Sequence, residues 1–508
     1  MFFSWLNERS AERRSRLVLR ALAVLLSLVL AGVFGLAALE ELGVMALLVV
    51  LIWSGSLLAC ATLLPSSPGV ETALHRSLLA FLWLDLVLKG FLRAHFGLRP
   101  NHSLVIESVL ATHSSEALEF FALHGRALLS VALLSALVLL PALILEANLG
   151  KPKTSRFSLR MLVLALSLML LGGAAHANKK VRLENPVLAW PLRYMAYQSQ
   201  MDSYARYAAA LDMASAGSKV EKHHDDPRTL VLVLGESSNR MNWGLYGYSR
   251  DTTPRLSAMQ NELLIFKDAN STDSSTQGAL QRKLTPASLE SPGAWMQQPD
   301  ILSLARSGGY KVWWISNHVE VGDGFVSALS RRADVARFVN KGYGRSETPF
   351  DEALIPELEQ ALASSEPRKL IVLHTLGSHP QYNYRYPASF NRFSDTPPDM
   401  ASRSRLVQQL RNQYDNSVLY TDHVLGEVLQ RLKPLKQRGE NISLLFVSDH
   451  GQEVGHFSDH IGHSARHPSG FSVPMLAWGT SCIAGQTALS FSTDTLDDVL
   501  EHLLGFDY

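Results

Sequence analysis

Apolar positions fall into two regimes along the chain. In the first third they gather in long runs with few charges, at 21–39, 42–64, 77–98, 127–145 and 161–177. Each run comes near the roughly 20 residues that a helix needs to cross a bilayer. From residue 229 onward the runs shorten, become rich in β-branched residues and alternate with helical periodicity. Strands are predicted at 229–234, 263–267, 311–316, 369–374, 443–448 and 473–478, and helices at 301–307, 351–362, 403–432 and 494–504. This alternation predicts an α/β domain with a mostly parallel sheet and helices on both faces. The expected organisation is a five-span helical membrane unit over 1–178, a linker over 179–228 and a catalytic domain over 229–508.

Charge placement gives the membrane unit an orientation. Arg9, Arg13, Arg14, Arg16 and Arg20 precede the first apolar run, which puts the N-terminus in the cytoplasm. That run is too long for a signal peptide, and no convincing small-residue cleavage site follows it. Five spans then carry the rest to the far side, while Lys151, Lys153, Arg156 and Arg160 fall in a cytoplasmic loop. Asp85, Lys89 and Arg93 share one face of the third span and read as an intrahelical ion ladder. The 100–126 stretch is expected to lie as an amphipathic loop against the outer leaflet. In the linker, Pro186 and Pro191 are expected to break the chain before an amphipathic helix over 195–213 on the membrane surface. His223, His224, Asp225 and Asp226 read as a solvated charge run.

Composition narrows the classes. The 508 residues carry 47 Lys+Arg against 46 Asp+Glu, a formal charge of +1, which argues against a nucleic-acid footprint. The two cysteines, Cys60 and Cys482, lie far apart in the sequence and argue against a disulfide framework or a zinc-thiolate site.

Ligands of open α/β sheets bind beyond the carboxyl ends of the strands, so the chemistry is sought there. The first run ends in Gly235-Glu236-Ser237-Ser238-Asn239-Arg240. It offers a hydroxyl and a hard oxygen ligand, although a serine needs a base or a metal to become a good nucleophile. By itself it could equally be a helix cap. Another run ends in Ser448-Asp449-His450-Gly451, and Asp and His are both good zinc ligands. A third ends in His374-Thr375-Leu376-Gly377-Ser378-His379, and His456, Asp459, His460, His463 and His467 follow the Asp-His pair. The combination points to a metal-assisted site acting on an anionic group. Formylglycine sulfatases carry Cys/Ser-x-Pro-x-Arg; Ser237-Ser238-Asn239-Arg240 has no proline and the wrong spacing, which leaves direct attack by a serine as the simpler mechanism.

The chain resembles the membrane phosphoethanolamine transferases of Gram-negative envelopes, members of the alkaline-phosphatase-like, sulfatase-fold superfamily. The match is carried by residues 231–256, VLVLGESSNRMNWGLYGYSRDTTPRL, and by Ser448-Asp449-His450-Gly451. Gly377-Ser378-His379-Pro380, Arg385-Tyr386-Pro387 and Gly462-His463 leading to Val473-Pro474 support it. The Gly-Glu-Ser form is most similar to the branch that modifies lipopolysaccharide core heptose.

The resemblance implies that Glu236, Asp449 and His450 bind a catalytic zinc. Ser237 is then the nucleophile and touches the metal. His379 and His463 match histidines that bind the phosphate group or a second zinc, with His460 and His467 as alternatives to His463. Ser275 and Thr276 match hydroxyls near the substrate, and Thr112 and Glu116 match residues that hold the ethanolamine head group. The implied donor is phosphatidylethanolamine, and the acceptor is lipopolysaccharide core, lipid A or another envelope glycan. The implied location is the inner membrane with a periplasmic catalytic domain. Many relatives brace that domain with disulfides, and this chain departs from them. The competing expectations are a phosphoglycerol transferase or phosphodiesterase of the same fold, or a non-catalytic lipid-binding or regulatory membrane protein.

Overall fold

The computed structural model describes residues 68–96, 105, 114–148, 186–214, 221–222, 226–320, 324–342 and 348–507, with isolated residues between 163 and 177. The chain divides into two compact units, Met1–Val105 with Ala122–Met195, and Ile106–Phe121 with Ala196–Tyr508.

In the N-terminal part, helix α1 (Pro68–Phe91) runs into a π-helical turn at Leu92–Phe96, and helix α2 spans Ser114–Asn148. The Asp85–Lys89 rung of the expected ladder is present as a buried ion pair of 2.6 Å. The helix over 127–145 begins earlier than expected, because Ser114 opens a run of Ala, Leu, Glu and Phe with no proline before Pro141. Residues 114–126, expected as part of an outer loop, are therefore its first turns. The spans expected at 21–39 and 42–64, and most of 161–177, lie outside the described residues. Among the described residues, no helix is long and apolar enough to cross a membrane.

Helix α3 (Pro186–Ala214) does not break at its prolines. Pro186 occupies the first helical position, where a missing N–H costs nothing. Pro191 lies only about one turn further in, and the helix continues through it. Its second half buries Met201 and Tyr204 in an apolar cluster of the following domain. Tyr204 packs on Trp295 and Phe325 and donates to Asp300 Oδ2 at 3.3 Å.

The domain that follows is built on a seven-stranded sheet. Its strands are β1 (Arg228–Gly235), β2 (Leu263–Ile265), β3 (Lys311–Ser316), β4 (Val335–Phe338), β5 (Arg368–His374), β6 (Ile442–Ser448) and β7 (Met475–Trp478). They are arranged in the order β2–β7–β6–β1–β5–β3–β4. The five strands from β6 to β4 are parallel, whereas β7 runs antiparallel to both β6 and β2.

Strand β1 is central and apolar on both faces, as a parallel strand covered on two sides must be. Leu230, Leu232 and Leu234 point into one cluster with helices α4 (Thr276–Lys283), α5 (Ile301–Ser307), α6 (Phe325–Ser330) and α9 (Leu496–Leu504). Val231 and Val233 point into the other, with α7 (Leu354–Ala363) and the long α8 (Arg405–Gln437). Flat registers bring Gly235 level with Ser448 and Leu234 level with His374, so the polar ends of three strands open at one edge.

Candidate active site

The nucleophile candidate sits in a strained turn held at every backbone group. Ser237 has φ +58°, a conformation that costs an L-residue roughly 1–2 kcal/mol. Its N–H donates to Asp449 Oδ1 at 2.8 Å, and its carbonyl accepts from Tyr414 OH at 2.7 Å. The next amides are also bound, Ser238 N to Ser448 Oγ at 2.8 Å and Asn239 N to Tyr414 OH at 2.7 Å. Such over-determination is what keeps a strained residue in place. Gly377, itself at φ +47°, lets the β5 loop lie against this turn, since a Cβ there would come 2.7 Å from Glu236 O.

The Ser237 hydroxyl lies 2.6 Å from Glu236 Oε1 and accepts from Gln452 Nε2 at 2.8 Å. Glu236, Asp449 and His450 are fully buried, and their ligand atoms lie within 4.8 Å of one another. His450 Nδ1 faces the Gly451 carbonyl at 2.8 Å, which fixes the proton there and leaves Nε2 bare. That nitrogen is 3.2 Å from Asp449 Oδ2 and 3.7 Å from Glu236 Oε1. Two ligands of one tetrahedral zinc stand about 3.4 Å apart, from zinc–ligand lengths near 2.0–2.1 Å. Asp449 Oδ2 is buried with no hydrogen-bond partner, a cost that a bound cation would remove. On these grounds the three residues fit a zinc ion, with the Ser237 hydroxyl beside them.

Electrostatics agree with that fit. Burial, and then the neighbouring Asp449 charge, push the Glu236 carboxyl well above its ordinary range. Burial would raise Asp449 too, but His450 and the donors around it outweigh burial and hold it low. The metal-free pair thus keeps a proton on Glu236 and the charge on Asp449. Behind them, Lys283 is fully buried, with Nζ on the Asp449 carbonyl at 2.7 Å and on Ser271 Oγ at 2.9 Å. Burial brings its pKa down to about 7.

Thr276 lies in this cluster, with Oγ1 donating to Glu236 Oε2 at 3.1 Å and 3.4 Å from His450 Nε2. Ser275 does not reach it, because its hydroxyl turns back to Asp273 Oδ1 at 2.9 Å. His463 is the histidine that meets His450, with ring centroids 4.6 Å apart and Nδ1 on Ser274 O at 2.9 Å. His467 instead stacks on Phe457, and His460 Nε2 lies 3.4 Å from the His463 carbonyl. His379 Nδ1 is buried without a partner. Burial holds His379 well below, and His463 down at about 4, so both are neutral near pH 7. Thr112 and the Glu116 side chain lie outside the described residues; the Glu116 backbone belongs to α2.

Sequence reasoning missed His318, although it stands just beyond β3, where the strand-end rule points. Glu236, His318 and His374 also bring ligand atoms within 4.8 Å. The two rings stack at 4.0 Å and 10°, so their in-plane lone pairs run parallel instead of converging on one ion. His318 Nε2 is moreover engaged by Thr375 O at 2.8 Å. This group fits neutral stacked imidazoles better than a second metal. Gln452, Tyr382 and Tyr414 were missed as well, because amides and phenols carry no spacing signature.

Beyond Ser237, the run that carries the family resemblance is scaffold. Trp243 stacks on Phe446 at 5.3 Å and donates to Ser238 Oγ at 2.8 Å. Tyr246 OH donates to the Met475 carbonyl at 2.8 Å. Asp415 of α8, fully buried, accepts from Asn242, Tyr248 and Arg250 at 2.7–2.9 Å. These contacts clamp the segment after Ser237 to β6, β7 and α8.

A mixed sheet that brings a serine, two carboxylates and histidines to adjoining strand ends defines the alkaline-phosphatase-like class of fold. Within that class the chain belongs to the sulfatase family, whose model matches residues 228–505. It is similar to phosphoethanolamine transferase EptC of Escherichia coli (strain K12), 30% identical over 331 residues, covering 62% of this chain and 56% of that one. The chain spans little more than half the length of such curated relatives. The crystal structure of the C-terminal periplasmic domain of E. coli EptC in complex with zinc matches at TM-score 0.52 and 30% identity, covering 57% of this chain and 85% of that one. The integral membrane lipooligosaccharide phosphoethanolamine transferase A of Neisseria meningitidis shares the fold over 96% of this chain and 95% of its own, at TM-score 0.66 and 20% identity.

Proposed function

We propose that this protein is a zinc-dependent phosphoethanolamine transferase, moving phosphoethanolamine from phosphatidylethanolamine to lipopolysaccharide core or lipid A. The observation that carries the reading is the Ser237 hydroxyl, strained into place and touching Glu236 beside the unpartnered Asp449 Oδ2 and bare His450 Nε2. The names of the similar relatives supply the group transferred.

Glu236, Asp449 and His450 would hold one zinc next to Ser237. When bound, zinc would lower the pKa of the serine hydroxyl and neutralise phosphoryl charge. In the first step Ser237 Oγ attacks phosphorus and the ester bond to diacylglycerol breaks. Diacylglycerol leaves with the proton lost by serine. In the second, an acceptor oxygen attacks phosphorus, the Oγ–P bond breaks, and serine regains a proton from the acceptor. His379, neutral by burial, can donate one N–H to a phosphoryl oxygen or to the departing group, whereas His463 gives its single N–H to the Ser274 carbonyl and would offer a bare Nε2 to the acceptor's proton or to a second zinc. Positioning and charge neutralisation do most of the work in such transfers. Thr112 and Glu116 are assigned to the ethanolamine head group, where a carboxylate can pair with an ammonium.

The rest of the chain suits lipid substrates. In this reading residues 1–178 form a five-span unit in the inner membrane with a cytoplasmic N-terminus, 179–228 connect it, and 229–508 act in the periplasm. The test is intact-mass spectrometry of the full-length protein, zinc-loaded in detergent, after incubation with phosphatidylethanolamine. An adduct of phosphoethanolamine mass on wild type and none on Ser237→Ala is expected. An adduct formed only from a phosphoglycerol-bearing lipid would overturn the donor, and no adduct from any donor would overturn the transferase.

A further inference from the structure

Asp449 and His450 are consecutive, so the tilt of the one peptide unit between them decides how Asp449 Oδ2 and His450 Nε2 face each other. Both polar groups of that peptide are held. Its N–H donates to Asp449 Oδ1 at 2.6 Å. Its carbonyl accepts from Lys283 Nζ at 2.7 Å and from Ser271 Oγ at 2.7 Å. Nζ also donates to Ser271 Oγ at 2.9 Å, which closes a triangle of three contacts. Lys283 is buried, and a buried amine is costly unless its hydrogens find partners. An amine keeps two hydrogens after losing its proton, so both contacts stand whether Nζ is charged or neutral. Lys283 is the last residue of α4 and Thr276 is the first. At that first residue, Thr276 Oγ1 donates to Glu236 Oε2 at 3.1 Å. One short helix therefore reaches the third ligand at its start and the 449–450 peptide at its end.

We propose that Lys283 is a positioning residue of the metal centre: it clamps the Asp449 carbonyl, fixes the angle between Asp449 and His450, and through α4 sets that pair against Glu236. The inference rests on these three residues as metal ligands and on no particular attacking oxygen. Contacts behind a ligand set orient it before the ion arrives, and losing one weakens the metal as well as the fold around it. Lysine suits the place because its long stem carries a donor from the end of α4 across to a strand end. Ser271 adds the second donor to the same carbonyl, so the clamp does not hang on a single contact.

The test uses the full-length protein in detergent with two metals. Zinc affinity is read by competition with a chromophoric chelator. Cobalt(II), whose visible absorption depends on the number and angles of its ligands, reports the geometry directly. Lys283→Met keeps the stem and removes the donors. It should weaken zinc binding about tenfold, the low end for a contact behind a ligand, and should shift the cobalt bands. Ser271→Ala removes the other donor to the same carbonyl and should move both readouts the same way. Lys369→Met is the control: Lys369 is also buried and donates from Nζ to a backbone carbonyl, that of Leu362 at 2.7 Å, but it lies near the start of β5, away from the site. It should leave affinity and bands as in wild type, even where it lowers the melting temperature. If Lys283→Met does not fold, Lys283→Gln, which keeps an N–H donor one bond shorter, and Ser271→Ala carry the test. Wild-type zinc affinity with wild-type cobalt bands in folded Lys283 variants would overturn the proposal, and so would equal changes in Lys369→Met. A wild type that shows these effects but never carries phosphoethanolamine would lose the transferase reading and leave Lys283 its role. A folded wild type that takes up neither metal would overturn the metal site and Lys283 together.

Discussion

Replacing Ser237 by glycine and, separately, by alanine isolates the conformational strain of this residue from its hydrogen bonds. Both changes delete the hydroxyl and its contacts to Glu236 and Gln452, so those losses cancel between the two variants. What differs is the backbone. At φ +58° alanine retains a Cβ penalty of about 1–2 kcal/mol that glycine escapes. Glycine gives back about 0.4–1 kcal/mol through the greater freedom of its unfolded chain. The glycine variant should therefore be the more stable by about 1 kcal/mol. In a domain of this size that difference corresponds to about 2 °C in melting temperature. The assay is thermal unfolding of both zinc-free variants, followed by tryptophan fluorescence, since Trp243, Trp295 and Trp314 are buried in the domain. Neither variant should form an adduct. Alanine equal to or more stable than glycine would refute the argument that the fold holds residue 237 against a conformational preference.

Three further outcomes follow from other sites. Gly451→Ala places a Cβ 2.2 Å from the Ser469 carbonyl; we expect a loss of about 1–3 kcal/mol in urea unfolding, with weaker zinc binding because His450 must move. Asp422 is held up at about 6 by burial, against an ordinary 3.8, so the folded state binds its proton more tightly than the unfolded state. Its contribution to stability is full below about pH 4 and is lost as pH rises to about 6, a change of about 3 kcal/mol. The wild type should lose that amount relative to Asp422→Asn between those limits, and parallel pH profiles would refute it. Because Glu236 keeps a proton in the metal-free site, zinc loading should release it and affinity should rise with pH. Calorimetry in buffers of different ionisation enthalpy reads this directly, and no proton release would count against the assignment.

Much of the α/β domain was legible because parallel strands buried on both faces spell continuous apolar runs. The run at 311–316 matches β3 residue for residue, and the ends of β1, β5 and β6 located the serine, carboxylates and histidines now seen together. Val335–Phe338 was missed because an edge strand of four residues, none of them buried, leaves no run to read. The reversed direction of β7 was hidden, since a strand's sequence does not encode its direction. Ser275 and Thr276 are adjacent in sequence, yet one bonds Asp273 and the other Glu236, a choice made by the first turn of α4. Gln452 and Tyr382 acquire their place only when the loops after β5 and β6 fold over the same serine. The helix over 186–214 does not break where its prolines predicted, because both fall near its start.

That helix bears on how the chain could be divided. Tyr204 and Met201 lie more than twenty residues before β1, yet they fill the same apolar cluster as Leu230 and Leu232. A fragment beginning at the first strand would leave Trp295 and Phe325 facing water in place of the tyrosine ring. A chain severed between Ala214 and Arg228 would keep the helix seated as a non-covalent partner, much as an excised peptide complements its parent domain.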